Sequence, residues 1–201
     1  RLNYNPLVSI IVVTYNSSKY VLETLESAKA QTYRNIELII TDDGSKDNTV
    51  AICREWLKEN KGGFVRTQLI TVNENTGIPA NCNRGVKAAQ GVWVKLIAGD
   101  DALLEKCIFL NLMFVEKVQQ ASVIFSIAKE YLHHFKDTAF LGYRPIIYNE
   151  NFFGSHVTAL KQYKQLLIQD RIGFTATSFM KRSVLLDVNL FDERFKFIED
   201  Y

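Results

Sequence analysis

The chain has 201 residues, 47% hydrophobic and 23% charged, with 3 prolines, 10 glycines and a net charge of +2. That composition excludes disordered, collagen-like and low-complexity classes, and the length suits one large domain or two small ones. Residues 1–101 carry 12 basic and 11 acidic side chains, as do residues 102–201, so neither half has a basic footprint for nucleic acid.

Residues 7–13 (LVSIIVV) form a continuous apolar run rich in β-branched side chains, which predicts a strand buried on both faces of a parallel sheet. Residues 14–18 are polar, and Ser17 or Ser18 is placed to cap a helix over 19–31, with Val21, Leu25 and Ala28 inward. Residues 36–41 (IELIIT) give a second buried strand and Asp42-Asp43-Gly44-Ser45 a turn. A helix over 48–59, with Ile52 and Trp56 inward, precedes a third strand at 68–72. A helix over 78–90, with Pro79 in its first turn, precedes a fourth strand at 92–97. This βαβαβαβ order predicts a three-layer α/β/α, Rossmann-like domain with a mostly parallel central sheet. Beyond residue 101 the expected elements are a helix at 103–118 and strands at 122–128 and 129–135. An irregular aromatic stretch at 143–158, a helix at 159–169, an extended segment at 174–180 and a short helix at 183–188 follow. No Pro-, Gly- or Ser-rich linker divides the chain, so a single domain over 1–201 is expected.

Three widely spaced cysteines without C-x-x-C read as buried reduced thiols. Asn16-Ser17-Ser18 has the form of a glycosylation acceptor and is read as coincidence. No apolar stretch reaches the ~20 residues a membrane span needs. The chain starts without Met and stops at Glu199-Asp200-Tyr201 with no terminator, so a truncation after 201 is expected. A cytoplasmic location is expected, at most peripheral at the inner face of a membrane, with membrane association only through segments outside this chain.

Ligands of parallel α/β sheets bind at the carboxyl ends of the strands. Those ends carry Thr14-Tyr15-Asn16, Asp42-Asp43-Gly44-Ser45 and Asp100-Asp101. Four carboxylates at one sheet edge repel one another unless a cation joins them. Asp100-Asp101 suits Mg²⁺ or Mn²⁺, which take one or two carboxylates and complete their shell with phosphate and water. The alternative for this pair is capping of the helix near residue 103. Neither a G-x-G-x-x-G after the first strand, nor a P-loop, nor a G-x-S-x-G elbow occurs.

Together these segments resemble the inverting glycosyltransferases of family 2, which have the GT-A fold. The resemblance rests on residues 6–16 (PLVSIIVVTYN), Gln31-Thr32-Tyr33 with 37–40 (ELII) and 42–45 (DDGS), then Asn75-x-Gly77, Asn83-Arg84-Gly85 and Gly91-Val92-Trp93-Val94. Phe191-Asp192-Glu193-Arg194-Phe195 followed by Glu199-Asp200 resembles the family's closing acceptor-side motif. It implies a nucleotide-sugar half (1–101) and an acceptor half (102–201). Val13, Tyr15, Asp43, Asn83 and Asp100 would bind the nucleotide, Tyr15 stacking on the base and Asp43 hydrogen-bonding its edge, most often uracil. Asp101 would be the direct metal ligand, with Asp100 nearer the ribose. Asp200 would be the general base, with Glu199 orienting the acceptor. Ala98 stands where the family often has a further Asp, and Cys82 where an Arg often precedes the Asn; a solvated helix face is the simplest reading of Arg84 and Lys87.

The implied activity is metal-assisted, inverting transfer of a sugar from a nucleotide-diphospho-sugar, a UDP-sugar being expected, to a glycan or lipid-linked acceptor in polysaccharide or cell-surface glycan synthesis. Tyr143, Phe152, Phe153, His156 and Phe174 are candidate liners of the acceptor pocket. The competing readings are a non-catalytic sugar-nucleotide-binding module and a sugar nucleotidyltransferase. The latter would need a Gly-rich basic loop that 13–18 does not supply.

Overall fold

The computed structural model describes residues 2–144, 157–166 and 175–196. The first apolar run becomes the central strand β1 (Val8–Thr14), flanked by β2 (Ile36–Asp42) and β4 (Trp93–Ala98), with β3 (Arg66–Thr71) outside β2. These four strands are parallel. Two antiparallel neighbours extend the sheet beyond β4, namely β8 (Ser178–Lys181) and then β5 (Val123–Phe125), giving the order β3-β2-β1-β4-β8-β5. A separate hairpin pairs β6 (Ala128–Tyr131) with β7 (Phe140–Arg144).

Every residue of β2 is buried, because helices cover both faces of the sheet. Alternate side chains feed two cores. Ile10, Val12, Leu38, Ile40, Trp93 and Ile97 point to one face. There they meet α1 (Val21–Lys29), α2 (Thr49–Asn60) and α4 (Cys107–Lys117). Ile11, Ile39, Val94 and Leu96 point to the other, against α3 (Ile78–Ala88) and α6 (Arg182–Asp187). A further helix, α5, spans Ala159–Leu166. The chain leaves β1 for β2 on one side and reaches β4 on the other, so strand order reverses between β1 and β4. A crevice opens at the carboxyl ends of such a pair.

Most expected elements form, but the strands expected over 122–128 and 129–135 shorten to β5 and β6, β7 forms where no strand is expected, and three further differences have physical causes. Neither Ser17 nor Ser18 caps α1 through its side chain; the Ser17 carbonyl accepts the amides of Tyr20 and Val21, and the helix starts at Val21. The fourth helix starts at Cys107, not 103, because polar groups of α1 and of the loop after it hold the preceding stretch as an irregular loop and turn. Ser27 Oγ accepts the Leu103 amide (3.0 Å), and Gln31 donates to the Leu104 carbonyl (2.9 Å) while accepting the Ile108 amide (3.1 Å). The extended segment expected at 174–180 is a 3₁₀ turn at Thr175–Thr177 followed by β8. Residue 174, and the end of the helix expected at 159–169, lie outside the described residues.

At the amino ends of the strands a buried carboxylate ties three elements. Glu37 Oε1 accepts Ser9 Oγ (2.6 Å) and the amides of Gln90 (2.5 Å) and Gly91 (2.9 Å), while Oε2 pairs with Arg66 (2.9 Å). Burial pushes this carboxyl up, but the bonds from Ser9, Gln90, Arg66 and Gly91 outweigh it and hold it below its ordinary value. A carboxyl lowered in the folded state stabilises above its unfolded pKa and loses that contribution as pH falls through the folded value. Glu37→Gln would turn an amide toward Arg66 and is expected to cost about 3 kcal/mol at pH 7. The difference should shrink toward pH 3, and urea denaturation across pH 3–7 measures it.

Candidate active site

The register of the parallel strands sets which residues meet at the crevice. Val13 pairs with Thr41 and with Ala98, and Thr14 with Asp42, so the three strands end level. The loops that follow converge on a cleft of about 660 Å³, a size suited to a small-molecule ligand. Val13, Tyr15, Asp43, Asp100 and Asp101 all line it. Tyr15 is 47% exposed, so its ring is open to the cleft.

Backbone geometry brings the loops together. Asn16 is left-handed (φ 51°); its amide donates to Ser45 Oγ, and its side-chain oxygen accepts the Lys46 amide, both at 2.8 Å. At Gly99 a Cβ would stand 2.8 Å from Thr14 Cγ2 and 2.9 Å from Ser17, so only glycine lets the end of β4 lie against the loop after β1. The Asp101 amide then donates to the Ala98 carbonyl (3.1 Å), closing the turn that presents both carboxylates.

Asp42 and Asp43 separate. Asp42 turns away from the cleft and accepts Thr14 Oγ1 (2.8 Å), Ser45 Oγ (2.5 Å) and the Ser45 amide (2.9 Å). The expected gathering of four strand-end carboxylates is therefore reduced to three. Asp43 is not left to repel the others, because Arg84 pairs with its Oδ1 at 2.5 Å. Thr76 Oγ1 also donates to Oδ1 (2.6 Å), and the amides of Thr76 (2.9 Å) and Gly77 (2.8 Å) donate to Oδ2. Burial raises the Asp43 carboxyl, but Thr76, Arg84 and Gly77 together hold it below the ordinary range. Arg84 is thus not a solvated helix side chain; it also donates to Thr76 Oγ1 (2.7 Å) and Asn81 Oδ1 (2.9 Å). Lys87 is exposed, 4.0 Å from Glu193.

Asn83 is not brought to the cleft. Its position on α3 turns it toward the chain's last described segment, where it donates to the Phe191 carbonyl (2.9 Å) and Glu193 Oε1 (2.9 Å) and accepts the Phe191 amide (3.0 Å). Its neighbours Asn81 and Cys82 line the cleft instead. The Lys196 carbonyl accepts the Ile78 amide (3.0 Å), and a Cβ on Gly77 (φ 99°) would stand 2.8 Å from that oxygen. Lys196 reaches the cleft in this way. Glu199 and Asp200 lie outside the described residues, as do Phe152, Phe153, His156 and Phe174. Tyr143 packs against Phe140 on the hairpin rather than lining the described cleft. Lys129, Glu130, Tyr131, Phe135 and Arg144 build the wall of the cleft beyond the loops that follow β1, β2 and β4. Sequence reading missed these, because only pairing of β6 with β7 carries them over the cleft; the turn between the two strands was the available signal.

Asp100-Asp101 does not cap α4, whose N-cap is Lys106. Thr24 Oγ1 instead donates to the Asp101 carbonyl (2.7 Å), fixing the pair against α1. Burial and the neighbouring Asp100 push the Asp101 carboxyl up to about 6, with the Ala98 hydrogen bond and Lys95 opposing. Among the described residues no further His, Cys, Asp or Glu joins them in a metal-ligating group. Two adjacent carboxylates, of which Asp101 is raised by burial and by its neighbour, fit a divalent Mg²⁺ or Mn²⁺ that draws its remaining ligands from phosphate and water. No helix among the described residues is long and apolar enough to cross a membrane.

A mostly parallel α/β sheet with an aromatic ring and acidic turns at its switch point defines a three-layer α/β protein with its cleft at the carboxyl ends of the strands. Residues 9–188 match the model of glycosyl transferase family 2, and the chain belongs to that family. It is similar to the glycosyltransferase GlyG of Streptococcus pneumoniae, with 33% identity over 102 residues, 51% of this chain and 33% of that protein. The chain spans about a third of the length of the first curated relatives it matches. Its fold is similar to that of S. aureus TarS residues 1–349, with a TM-score of 0.70 and 22% identity over 96% of this chain and 52% of that one. That protein has also been solved with UDP and with UDP-GlcNAc. The mannosyltransferase PcManGT of Pyrobaculum calidifontis, solved with GDP-Man and Mn²⁺, has a TM-score of 0.68 and 17% identity over 95% of this chain and 49% of that one. The GT-A-like, mostly parallel α/β fold expected from sequence is the observed one.

In the metal-free protein the raised Asp101 carboxyl is a liability above its folded pKa, where both folded and unfolded states are ionised and the burial cost is complete. Asp101→Asn is expected to raise stability by at most about 2–3 kcal/mol at pH 7.5 and by little near pH 4. Thermal melts in chelator at the two pH values check the sign.

Proposed function

We propose that the chain transfers a sugar from a nucleotide-diphospho-sugar to an acceptor hydroxyl with inversion, a UDP-sugar being the expected donor. The observation that carries this reading is the convergence of Tyr15, Asp43, Asp100 and Asp101 on one cleft at the β1–β4 switch point. Family membership supports the reaction class. The nucleotide ligands of TarS and PcManGT support a nucleotide-sugar donor, and Mn²⁺ in the latter supports a divalent cofactor.

In this reading Tyr15 stacks on the base and Asp43 accepts from an N–H on its edge. The carboxylate of Asp43 already accepts from four donors, so the base must displace one. The Thr76 hydroxyl is the one free to rotate, and it keeps Arg84 as a partner. Asp101, with Asp100 beside the ribose, would hold the Mg²⁺ or Mn²⁺, which when bound supplies positive charge to the leaving diphosphate. Asp200 takes the proton of the attacking hydroxyl and Glu199 orients the acceptor. One displacement from the face opposite the leaving group inverts the anomeric centre. General base catalysis of this kind contributes roughly 10²–10⁴-fold. The acceptor is a glycan or lipid-linked hydroxyl compound.

Thermal melts against UDP, GDP and TDP, with and without Mn²⁺, test the donor site. A ligand at 100 times its Kd stabilises by about 2.7 kcal/mol. UDP is expected to stabilise only with metal and not in Asp101→Ala. GDP or TDP in its place would change the donor, and no shift with any nucleotide would sink the reading in favour of a degenerate module. Asp200→Asn should keep UDP affinity and lose about 10²-fold or more in turnover; near-wild-type turnover would remove Asp200 as the base.

A further inference from the structure

Strands β4 and β8 pair at only two positions, Trp93 with Lys181 and Val94 with Met180. Beyond Val94 they part, and Thr175–Thr177 leaves as a 3₁₀ turn. The cleft extends into this opening. Ala98, Gly99, Asp100 and Asp101 line one side, and Thr175 and Ala176 line the other. Strands that splay inside a protein lose ladder donors for their carbonyls, and a buried carbonyl needs another donor.

Lys95, the first residue of β4 beyond the paired ones, supplies it. Its Nζ donates to the Ala176 carbonyl at 2.6 Å and the Ser178 carbonyl at 3.1 Å. The two other carbonyls of the turn have their own donors, Ser178 Oγ to Thr175 (2.6 Å) and the Ser126 amide to Thr177 (2.9 Å). Lys95 is 1% exposed. Burial pushes its ammonium down, while the charge of Asp101 opposes that shift. An ammonium buried on the same face as Trp93 and Ile97 is a costly way to fill space that a methionine would fill. What it provides is a strut with two donors, spanning the gap between β4 and the turn that leads into β8.

We propose that Lys95 is a positioning residue that holds the Thr175–Ser178 wall at a fixed separation from the end of β4, and so sets the width of the cleft beside Asp100-Asp101. The inference rests on the transferase reading for its consequence, since this opening is where the sugar end of the donor and the acceptor would meet. The strut itself rests only on the hydrogen bonds above.

Lys95→Met, made in the full chain, separates the two. Hydrogen exchange of the amides of 175–179 should accelerate about tenfold or more, with the α3 amides unchanged. UDP affinity with Mn²⁺ should stay within about threefold, while kcat for UDP release from the best substrate of a UDP-sugar panel falls about tenfold with donor KM nearly constant. Unchanged exchange in the folded variant overturns the strut. Unchanged kcat, or a parallel loss of UDP affinity, overturns its role in positioning. If Lys95→Met does not fold, Lys95→Arg carries the test. Its wider fork keeps both carbonyls satisfied at a different spacing, so exchange should remain protected while kcat falls, and a wild-type kcat overturns the proposal. A wild-type chain that binds no nucleoside diphosphate defeats the transferase reading instead, and the exchange data still decide the strut.

Discussion

The parallel register of β1 between β2 and β4 is the constraint on which the rest depends. It fixes Val13 beside Ala98 and Thr14 beside Asp42, so three loops must leave the sheet at one level. A slip of one residue in a strand buried on both faces would exchange its two sets of side chains between the α1–α2–α4 core and the α3–α6 core. Trp93 and Lys95 would then face α3, where Cys82 and Val86 leave no matching room. Core packing thus holds the cleft in alignment from a distance.

Charge at the cleft is managed residue by residue rather than by one cation. Asp42 is absorbed into its own turn and Asp43 is paired with Arg84. Asp100 and Asp101 stand side by side, and the Asp101 carboxyl is pushed up by burial and by its neighbour. In the proposed reading, a divalent cation held there would offset the cost of ionising the buried Asp101 carboxyl. Lys95 lies beneath the same strand end without bonding to either carboxylate.

The segment that returns to the cleft late in the chain is fastened by backbone groups. Asn83 grips both polar groups of the Phe191 backbone, and the Lys196 carbonyl takes the Ile78 amide. An amide side chain in a helix suits this task, since it offers a donor and an acceptor together. The motif around Asn83 therefore matters to the site through the segment it holds, although the side chain itself stays outside the cleft.

The sequence by itself determined the layers and the strand ends. Continuous β-branched runs mark strands buried on both faces, and polar residues just beyond them mark the loops, so Tyr15, Asp43, Asp100 and Asp101 were legible one by one. Local pattern also misled where distant groups intervene. The apolar stretch after Asp101 reads as helix from 103, but hydrogen bonds from Thr24, Ser27 and Gln31 hold it as an irregular loop and turn as far as 106. Arg84 reads as a solvated helix side chain and Asn83, from the resemblance, as a nucleotide ligand, whereas their partners lie 41 and 108 residues away in sequence. Only tertiary structure decided that Arg84 neutralises Asp43, that Asn83 faces Phe191, and that Lys95 bridges a splayed pair. Hydrophobic periodicity records which face of an element is buried, whereas the partner of a buried polar group is set by which backbone or side chain the fold brings within about 3 Å.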